Sequence, residues 1–157
     1  MPSITPCLWF DNNAEEAVTF WLEIFDDAEV TDVMRFGEAG PGPKGGVLSM
    51  NFTLQGQPFM VLNGGPMFKF SPATSFFIAC DTQEQVDRYW DRLSEGGSIQ
   101  QCGWLQDKFG VSWQVVPKLL GTLLQDPDKA RSARVMQAML TMKKLDSAAL
   151  QQAYDRG

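Results

Sequence analysis

The chain contains no histidine. Histidine is the commonest general base near neutral pH and the commonest protein ligand of catalytic transition metals. Its absence excludes catalytic sites of the serine–histidine–aspartate and cysteine–histidine types. Cysteine is also scarce, since Cys7, Cys80 and Cys102 form an odd set with long spacings and no CxxC pair. This usage favours free thiols and predicts a reducing, cytoplasmic location.

Positive charge and long apolar runs are lacking as well. There are 13 Lys and Arg residues against 19 Asp and Glu residues, so the formal net charge is −6. Because nucleic acids and anionic membrane surfaces attract clustered Lys and Arg, neither is expected as a partner. No apolar run approaches the roughly 18–20 residues that span a bilayer. Residues 1–6 have neither the basic nor the apolar region of a signal peptide.

What the chain does contain is an internal repeat. Residues 8–11 (LWFD) precede an amphipathic helical pattern, and residues 77–81 (FIACD) precede a second one. Residues 56–62 and 110–116 share the pattern Gly-x-x-aromatic-x-Val-aliphatic. The repeat predicts an α+β fold of two tandem βαβββ modules within one domain.

The first module should cover about residues 3–65 and the second about 73–117, with a C-terminal helical extension over about 118–157. Two copies in one domain imply a pseudo-twofold axis and a cavity where the copies meet. A cavity favours a small-molecule ligand more readily than any particular reaction.

Alternation of apolar and polar residues predicts eight strands, at residues 4–10, 29–36, 47–54, 58–62, 74–80, 98–102, 104–106 and 112–116. The glycine-rich residues 37–46 join two strands and are expected to form a mobile loop. Helix starts are predicted from caps or an initial proline at Asp11 or Asn12, at Asp81 with Glu84 three positions later, at Pro127, and at Asp146.

Several longer segments carry a family resemblance: residues 4–11, 14–17, 37–41, 63–66, 68–70, 101–108 and 110–117. In these the chain resembles the PhnB-like branch of the glyoxalase/bleomycin-resistance, or vicinal oxygen chelate (VOC), superfamily. This branch is often labelled 3-demethylubiquinone-9 3-methyltransferase. The resemblance runs over nearly the whole chain, tail included.

The resemblance implies a place for a metal ion, because enzymes of the superfamily commonly hold a divalent ion with His or Glu. Strand alternation and the repeat put the corresponding positions at Thr5, Met60, Ser75 and Gln114, which are all uncharged. Relatives in the branch carry His after Gly-Gly-Pro, where this chain has Met67. We therefore expect no metal site and no cofactor.

The same alternation selects residues that would line a pocket between the modules: Thr5, Cys7, Trp9, Met60, Leu62, Ser75, Phe77 and Gln114, with Ala79 and Val116. The alternative is that they fill an inter-module core. Residues near the mouth would be Arg35, Glu38, Met67, Lys69, Trp104 and Lys108. Arg35 or Lys69 could hold an anionic group, although solubilising surface charge is the commoner role.

No catalytic residue can be assigned. Cys7 is better interpreted as a small buried apolar residue than as a nucleophile, because no histidine activates it. Cys80 should lie in the core and Cys102 in a structural turn.

The leading hypothesis is a metal-free, homodimeric small-molecule-binding protein. Met136, Met139 and Met142 of the tail provide an apolar face that a dimer could bury. One alternative is a metal-dependent enzyme whose ion is held by other residues, such as Glu38 or Asp107. A second is a sequestering protein of the drug-resistance type. A third is methyl transfer. The glycine-rich stretch argues against it, because this stretch joins two strands, whereas a domain that binds S-adenosylmethionine would need a glycine-rich loop between a strand and a helix.

Overall fold

We describe the protein from a computed structural model, which covers residues 1–156. The chain divides into two compact units, Met1–Phe70 and the residues from Ser71 onward. The elements of the first unit are β1 (Cys7–Phe10), α1 (Ala14–Ile24), β2 (Ala28–Arg35), β3 (Val47–Leu54) and β4 (Gln57–Asn63). They form one sheet in the order β1-β4-β3-β2, in which β1 and β4 are parallel and the other pairs antiparallel.

Helix α1 covers one face of this first sheet. Its Trp21 is fully buried and stacks on Phe52 of β3, with ring centroids 5.8 Å apart. Phe52 in turn stacks on Phe59 of β4 at 5.5 Å. Leu8 and Phe10 of β1 are buried on the same side. Because neighbouring side chains of a strand point to opposite faces, the residues between them lie on the face that the helix leaves open.

The second unit repeats this arrangement. Its first elements are β5 (Ser75–Cys80), α2 (Gln83–Ser94), β6 (Ser98–Ile99), β7 (Trp104–Gln106) and β8 (Ser112–Pro117). The sheet order β5-β8-β7-β6 matches that of the first unit, again with a parallel first pair. The predicted α+β fold with tandem βαβββ modules is confirmed.

Three helices complete the second unit: α3 (Lys118–Leu124), α4 (Lys129–Leu140) and α5 (Ser147–Asp155). They pack around a cluster of buried residues, namely Val116, Leu120, Leu123, Val135, Leu145 and Leu150. The loop before α5 is tied to the turn before β7 by two main-chain bonds: Cys102 N donates to Met142 O and Gly103 N to Lys143 O, both at 2.8 Å. The predicted helical extension is therefore present.

Helix α1 begins differently from the prediction. Its N-cap is Asn13, which makes no side-chain capping bond, rather than Asp11 or Asn12. The acceptor for the first helical N–H comes from a distant residue, because Ala14 N donates to Asn63 Oδ1 at 3.0 Å. A cap supplied across 49 positions leaves no local sequence signal.

Helix α2 begins one residue later than predicted. Its N-cap is Thr82, whose hydroxyl accepts from Gln85 N at 3.2 Å. The Gln85 side chain accepts from Asp81 N at 2.7 Å, so Gln85 takes the place expected of Glu84. The prediction of Asp81 as the cap is wrong. The Thr82 hydroxyl caps the helix instead, and the Gln85 side-chain oxygen accepts from the Asp81 N–H.

In the tail, α4 does not begin at Pro127. Asp128 is its N-cap and accepts from Ala130 N and Arg131 N, so the carboxylate one residue after the proline sets the start. Asp146 caps α5 as predicted, accepting from Ala149 N at 3.1 Å. Over residues 1–156, none of the helices combines the length and apolar character needed to cross a bilayer.

Two strands are shorter than predicted. β1 starts at Cys7, so Thr5 lies outside it, because Pro6 has no N–H to donate to a ladder. β6 ends at Ile99, since the chain turns at Cys102 and Gly103, which have φ angles of 59° and 85°. This turn confirms the structural role expected of Cys102.

Candidate functional site

The open face of the first sheet carries four of the predicted pocket residues. Cys7 lies opposite Met60 and Trp9 opposite Leu62 in the parallel β1–β4 pair. Side chains opposite each other in a parallel pair project from the same face. Met60 and Leu62 in turn lie opposite Asn51 and Ser49 of β3, so polar residues follow the apolar ones across the sheet.

Trp9 is held in place by the segment that follows β4. Its indole Nε1 donates to Gly65 O at 2.8 Å. Its ring lies so close to Gly64 that a Cβ there would overlap it. Phe68 packs edge-on against the ring, with centroids 5.0 Å apart. Trp9 is therefore a fixed, partly exposed aromatic surface, and the Gly64-Gly65 pair is what permits it.

The open face of the second sheet contains the equivalent positions. Phe77 lies opposite Gln114, as Cys7 lies opposite Met60 in the first sheet, and this register agrees with the sequence repeat. Trp104 lies on the other side of Gln114. Gln114 Nε2 donates to Ser75 Oγ at 3.0 Å, and Phe77 is 59% exposed.

Two residues differ from what the sequence predicts for these faces. Val116 is buried in the cluster beneath the tail helices and does not line an open surface. Cys7 is exposed rather than buried, because α1 covers the opposite face of β1. Partial desolvation raises the pKa of the Cys7 thiol, which disfavours the reactive thiolate. Burial, followed by the charge of Asp81, raises the pKa of Cys80 to about 11, and Cys80 lies in the core as predicted.

The comparisons with known proteins place the chain in a family. The family described as 3-demethylubiquinone-9 3-methyltransferase matches residues 2–116. The chain belongs to this family. The match ends where the tail begins, so α3, α4 and α5 lie outside it, whereas the sequence resemblance was expected to extend into the tail.

Solved structures agree with the assignment. The PhnB protein from Bacillus cereus is 38% identical, with a TM-score of 0.68 over 74% of this chain and 99% of that chain. A Pseudomonas aeruginosa protein is 22% identical, with a TM-score of 0.64 over 74% of this chain and 98% of its own. The Listeria monocytogenes fosfomycin resistance protein FosX, solved with Mn(II) and a sulfate ion, shares the fold at 14% identity, with a TM-score of 0.52 over 71% and 88% of the two chains. No curated protein sequence matches the chain.

This member of the 3-demethylubiquinone-9 3-methyltransferase family has poor metal ligands at the four positions that the sequence resemblance implies for an ion. Ser75 and Gln114 are hydrogen-bonded to each other, and Met60 offers only a thioether. Thr5 is uncharged and precedes β1. Within the described chain, no group of three or more Asp, Glu, Cys or His side chains is placed to hold a metal ion. These residues are poor ligands for a divalent ion, and the absence of a metal site stays a prediction.

The two carboxylates considered as replacement ligands are already engaged. Asp107 is buried and accepts three hydrogen bonds, from Phe109 N at 2.9 Å, Val111 N at 3.0 Å and Trp113 Nε1 at 2.9 Å. Asp107 therefore holds the β7–β8 turn together. Glu38 pairs with Lys44 at 2.8 Å within the glycine-rich loop.

The residues predicted for the mouth have different surroundings. Arg35, like Glu38, bonds within the glycine-rich loop, because Arg35 Nη1 donates to Gly45 O at 3.1 Å. Lys108 lies over the Phe109 ring at 5.6 Å. The others, Met67, Lys69 and Trp104, are exposed or partly exposed, and whether they surround a pocket stays a prediction.

Sequence reasoning missed Asn63, which organises the first unit. Besides accepting from Ala14 N, its side chain donates from Nδ2 to Val47 O at 3.0 Å. It thereby joins the start of α1 to the start of β3. The only available signal was its place in the Asn-Gly-Gly-Pro segment, which was assigned to the family resemblance and not to a contact.

Proposed function

We propose that the chain is a small-molecule-binding protein of the 3-demethylubiquinone-9 3-methyltransferase family, with the ligand held against the open face of a sheet. The exposure of Phe77 carries this proposal, because exposed aromatic surface on the open face of a sheet favours a binding role. We also propose that the protein forms a homodimer.

The composition of the two faces supports an uncharged, partly aromatic ligand. Trp9, Leu62 and Phe77 offer apolar surface, and the bonded pair of Ser75 and Gln114 offers a carbonyl and a hydroxyl as polar contacts. Binding of this kind does not use a metal ion. We also propose a cytoplasmic location, which rests on the three free cysteines.

The test compares two side chains of matched exposure. Phe77 is 59% exposed on the open face, and Leu140 is 58% exposed on the tail. We expect Phe77→Ala to weaken binding of 1-naphthol, a neutral aromatic probe, by about tenfold, since the loss of a well-packed aromatic contact costs more than about 1 kcal/mol. Leu140→Ala should leave it unchanged. Fluorescence titration measures both.

Sedimentation velocity on the same variants tests the homodimer. Phe77→Ala should shift any dimer toward monomer if the open faces form the contact. A dimer weakened by Leu140→Ala alone would assign the contact to the tail, and unaltered naphthol binding in Phe77→Ala would contradict the proposed site.

The family description supplies a second candidate, the methyl transfer that it names. A transferase must bind S-adenosylmethionine as its methyl donor. Isothermal titration of the protein with S-adenosylmethionine tests this directly. Saturable heat with a defined stoichiometry would favour transfer, and its absence together with naphthol binding would favour the binding protein.

A further inference from the structure

A separate cavity of about 300 Å³ lies within the first unit. Its walls are residues 11–12 at the end of β1, residues of the glycine-rich loop between Phe36 and Val47, and the Asn63-Gly64-Gly65 turn. This volume is at the lower end of the range for small-molecule sites. The pocket predicted from the repeat does not include it.

The glycine-rich loop folds around the side chain of Phe36. Phe36 N donates to Gly46 O and Gly45 N donates to Phe36 O, both at 2.9 Å. The Phe36 ring is buried, and it lies where a Cβ on Gly42 would be. A loop that would otherwise lack a core is thus built on one aromatic side chain, whose ring also lines the cavity.

Most hydrogen-bond donors around the cavity are absent or already used. Pro41 and Pro43 have no N–H. Gly46 N donates to Pro43 O, Gly64 N to Phe10 O and Gly65 N to Asp11 O. The Asn63 amide accepts from Ala14 N and donates to Val47 O. The Asn12 side chain is a lining donor that makes no bond within residues 1–156, but no lining side chain carries a positive charge that could pair with an anion.

The charge at the cavity is negative. Of the described residues that line it, Asp11 alone has an ionisable side chain, and Asp11 forms no ion pair within residues 1–156. The nearby basic residues of the loop are occupied, since Lys44 pairs with Glu38 and Arg35 donates to Gly45 O.

The start of α1 does not offset this charge. An exposed helix N-terminus attracts anions through its unpaired N–H groups. Here Ala14 N is already bonded to Asn63, and Glu15 and Glu16 occupy the first turn. The partial positive charge at the N-terminus of α1 is thus already offset by the Asn63 acceptor and by the two glutamates of the first turn.

We propose that this cavity binds a small organic ammonium ion, with its charge at the Asp11 carboxylate and its apolar part against Phe36 and the two prolines. Asp11 and Phe36 both line the cavity, and a carboxylate together with an aromatic ring suits an alkylammonium group, because ring faces attract cations. The proposal is independent of the ligand on the open faces.

The test uses three probes of similar size and different charge: propylammonium, 1-propanol and propionate. Titrations of the full ¹⁵N-labelled chain follow the backbone amide signals of Gly42, Gly46, Gly64 and Gly65. We expect saturable shifts with propylammonium at these four glycines and weaker shifts with the other two probes. Asp11→Asn should weaken propylammonium binding at least about fivefold.

Asp155→Asn, which neutralises an exposed aspartate on α5, is the matched control and should leave the affinity unchanged. Equal binding of propanol or propionate would overturn the proposal, and so would unchanged affinity in Asp11→Asn. Binding that Asp155→Asn weakens equally would show only general attraction to an acidic protein, which also contradicts a site.

Discussion

Replacing Asn63 by alanine should loosen the first unit at a defined place. The change removes two hydrogen bonds at once, the acceptor for Ala14 N at the start of α1 and the donor to Val47 O at the start of β3. Loss of a helix cap costs about 1 kcal/mol. The second bond adds about 1 kcal/mol, because Val47 is buried and its carbonyl would lack that partner.

The sum of about 2 kcal/mol corresponds to roughly 30-fold faster hydrogen exchange wherever exchange requires opening of this unit. Mass spectrometry of the peptide that contains Ala14–Ile24 reads the effect in α1 separately from the second unit. A urea melt followed by circular dichroism should show a lower midpoint for the same unit.

Asn12→Ala is the matched control for Asn63→Ala. Asn12 was a predicted cap, but within residues 1–156 its side chain makes no hydrogen bond, so its loss should cost less than about 0.5 kcal/mol. If Asn12→Ala accelerated exchange in α1 as much as Asn63→Ala, the capping would be local and our assignment to Asn63 would be refuted.

Three further substitutions test contacts of the second unit. Asp107→Asn should lower the free energy of unfolding by about 2–4 kcal/mol in a urea melt. The carboxylate now accepts hydrogen bonds from Trp113 Nε1 and from main-chain N–H groups, and the amide NH2 of asparagine would face one of these donors. Gln83→Ala should speed hydrogen exchange in α5 about tenfold, because the Gln83 side chain bonds main-chain groups on either side of the α5 cap. Asp126→Asn should remove an acid-sensitive part of the tail's stability, because the bond from Tyr154 lowers the pKa of Asp126.

The sign of the Asp126 effect follows from linkage. A carboxyl whose pKa is lower in the folded state stabilises the fold above its unfolded pKa near 3.8, and this contribution is lost as the pH falls through the folded value. Wild type should therefore lose more tail stability below about pH 4 than Asp126→Asn does. Identical acid melts of the two proteins, followed by exchange in α5, would contradict the role of the pair. Gln152→Ala, which changes an exposed residue of α5, is the control for Gln83→Ala.

The repeated fold could be predicted because it depends on local patterns. Alternation located β3 at its observed bounds, and the shared pattern around Met60 and Gln114 anticipated their equivalent places in the two sheets. The helix starts were less predictable, since Thr82 and Asp128 compete with neighbouring polar residues that are equally good caps by type.

The candidate site could be predicted only in part. The alternation placed Cys7 and Trp9 on one face, but it could not show that α1 covers the other face and leaves Cys7 exposed. Asn63 acts over 49 positions and Val116 is covered by helices of the tail, so neither outcome has a local signal. The cavity at Asp11 depends on how a loop of glycines and prolines wraps Phe36, which no periodicity encodes.

The attachment of the loop before α5 through main-chain groups has a consequence for divergence. Cys102 N and Gly103 N bond the carbonyls of Met142 and Lys143, so the identity of those two side chains does not affect the contact. The exposed Lys143 can therefore vary, whereas Met142 packs against the buried cluster of the tail, and Gly103 cannot change, since a Cβ would lie 2.9 Å from Val115 O. The path of this loop can therefore survive a change at Lys143, and its most durable traces in homologues would be Gly103 and an apolar residue at position 142.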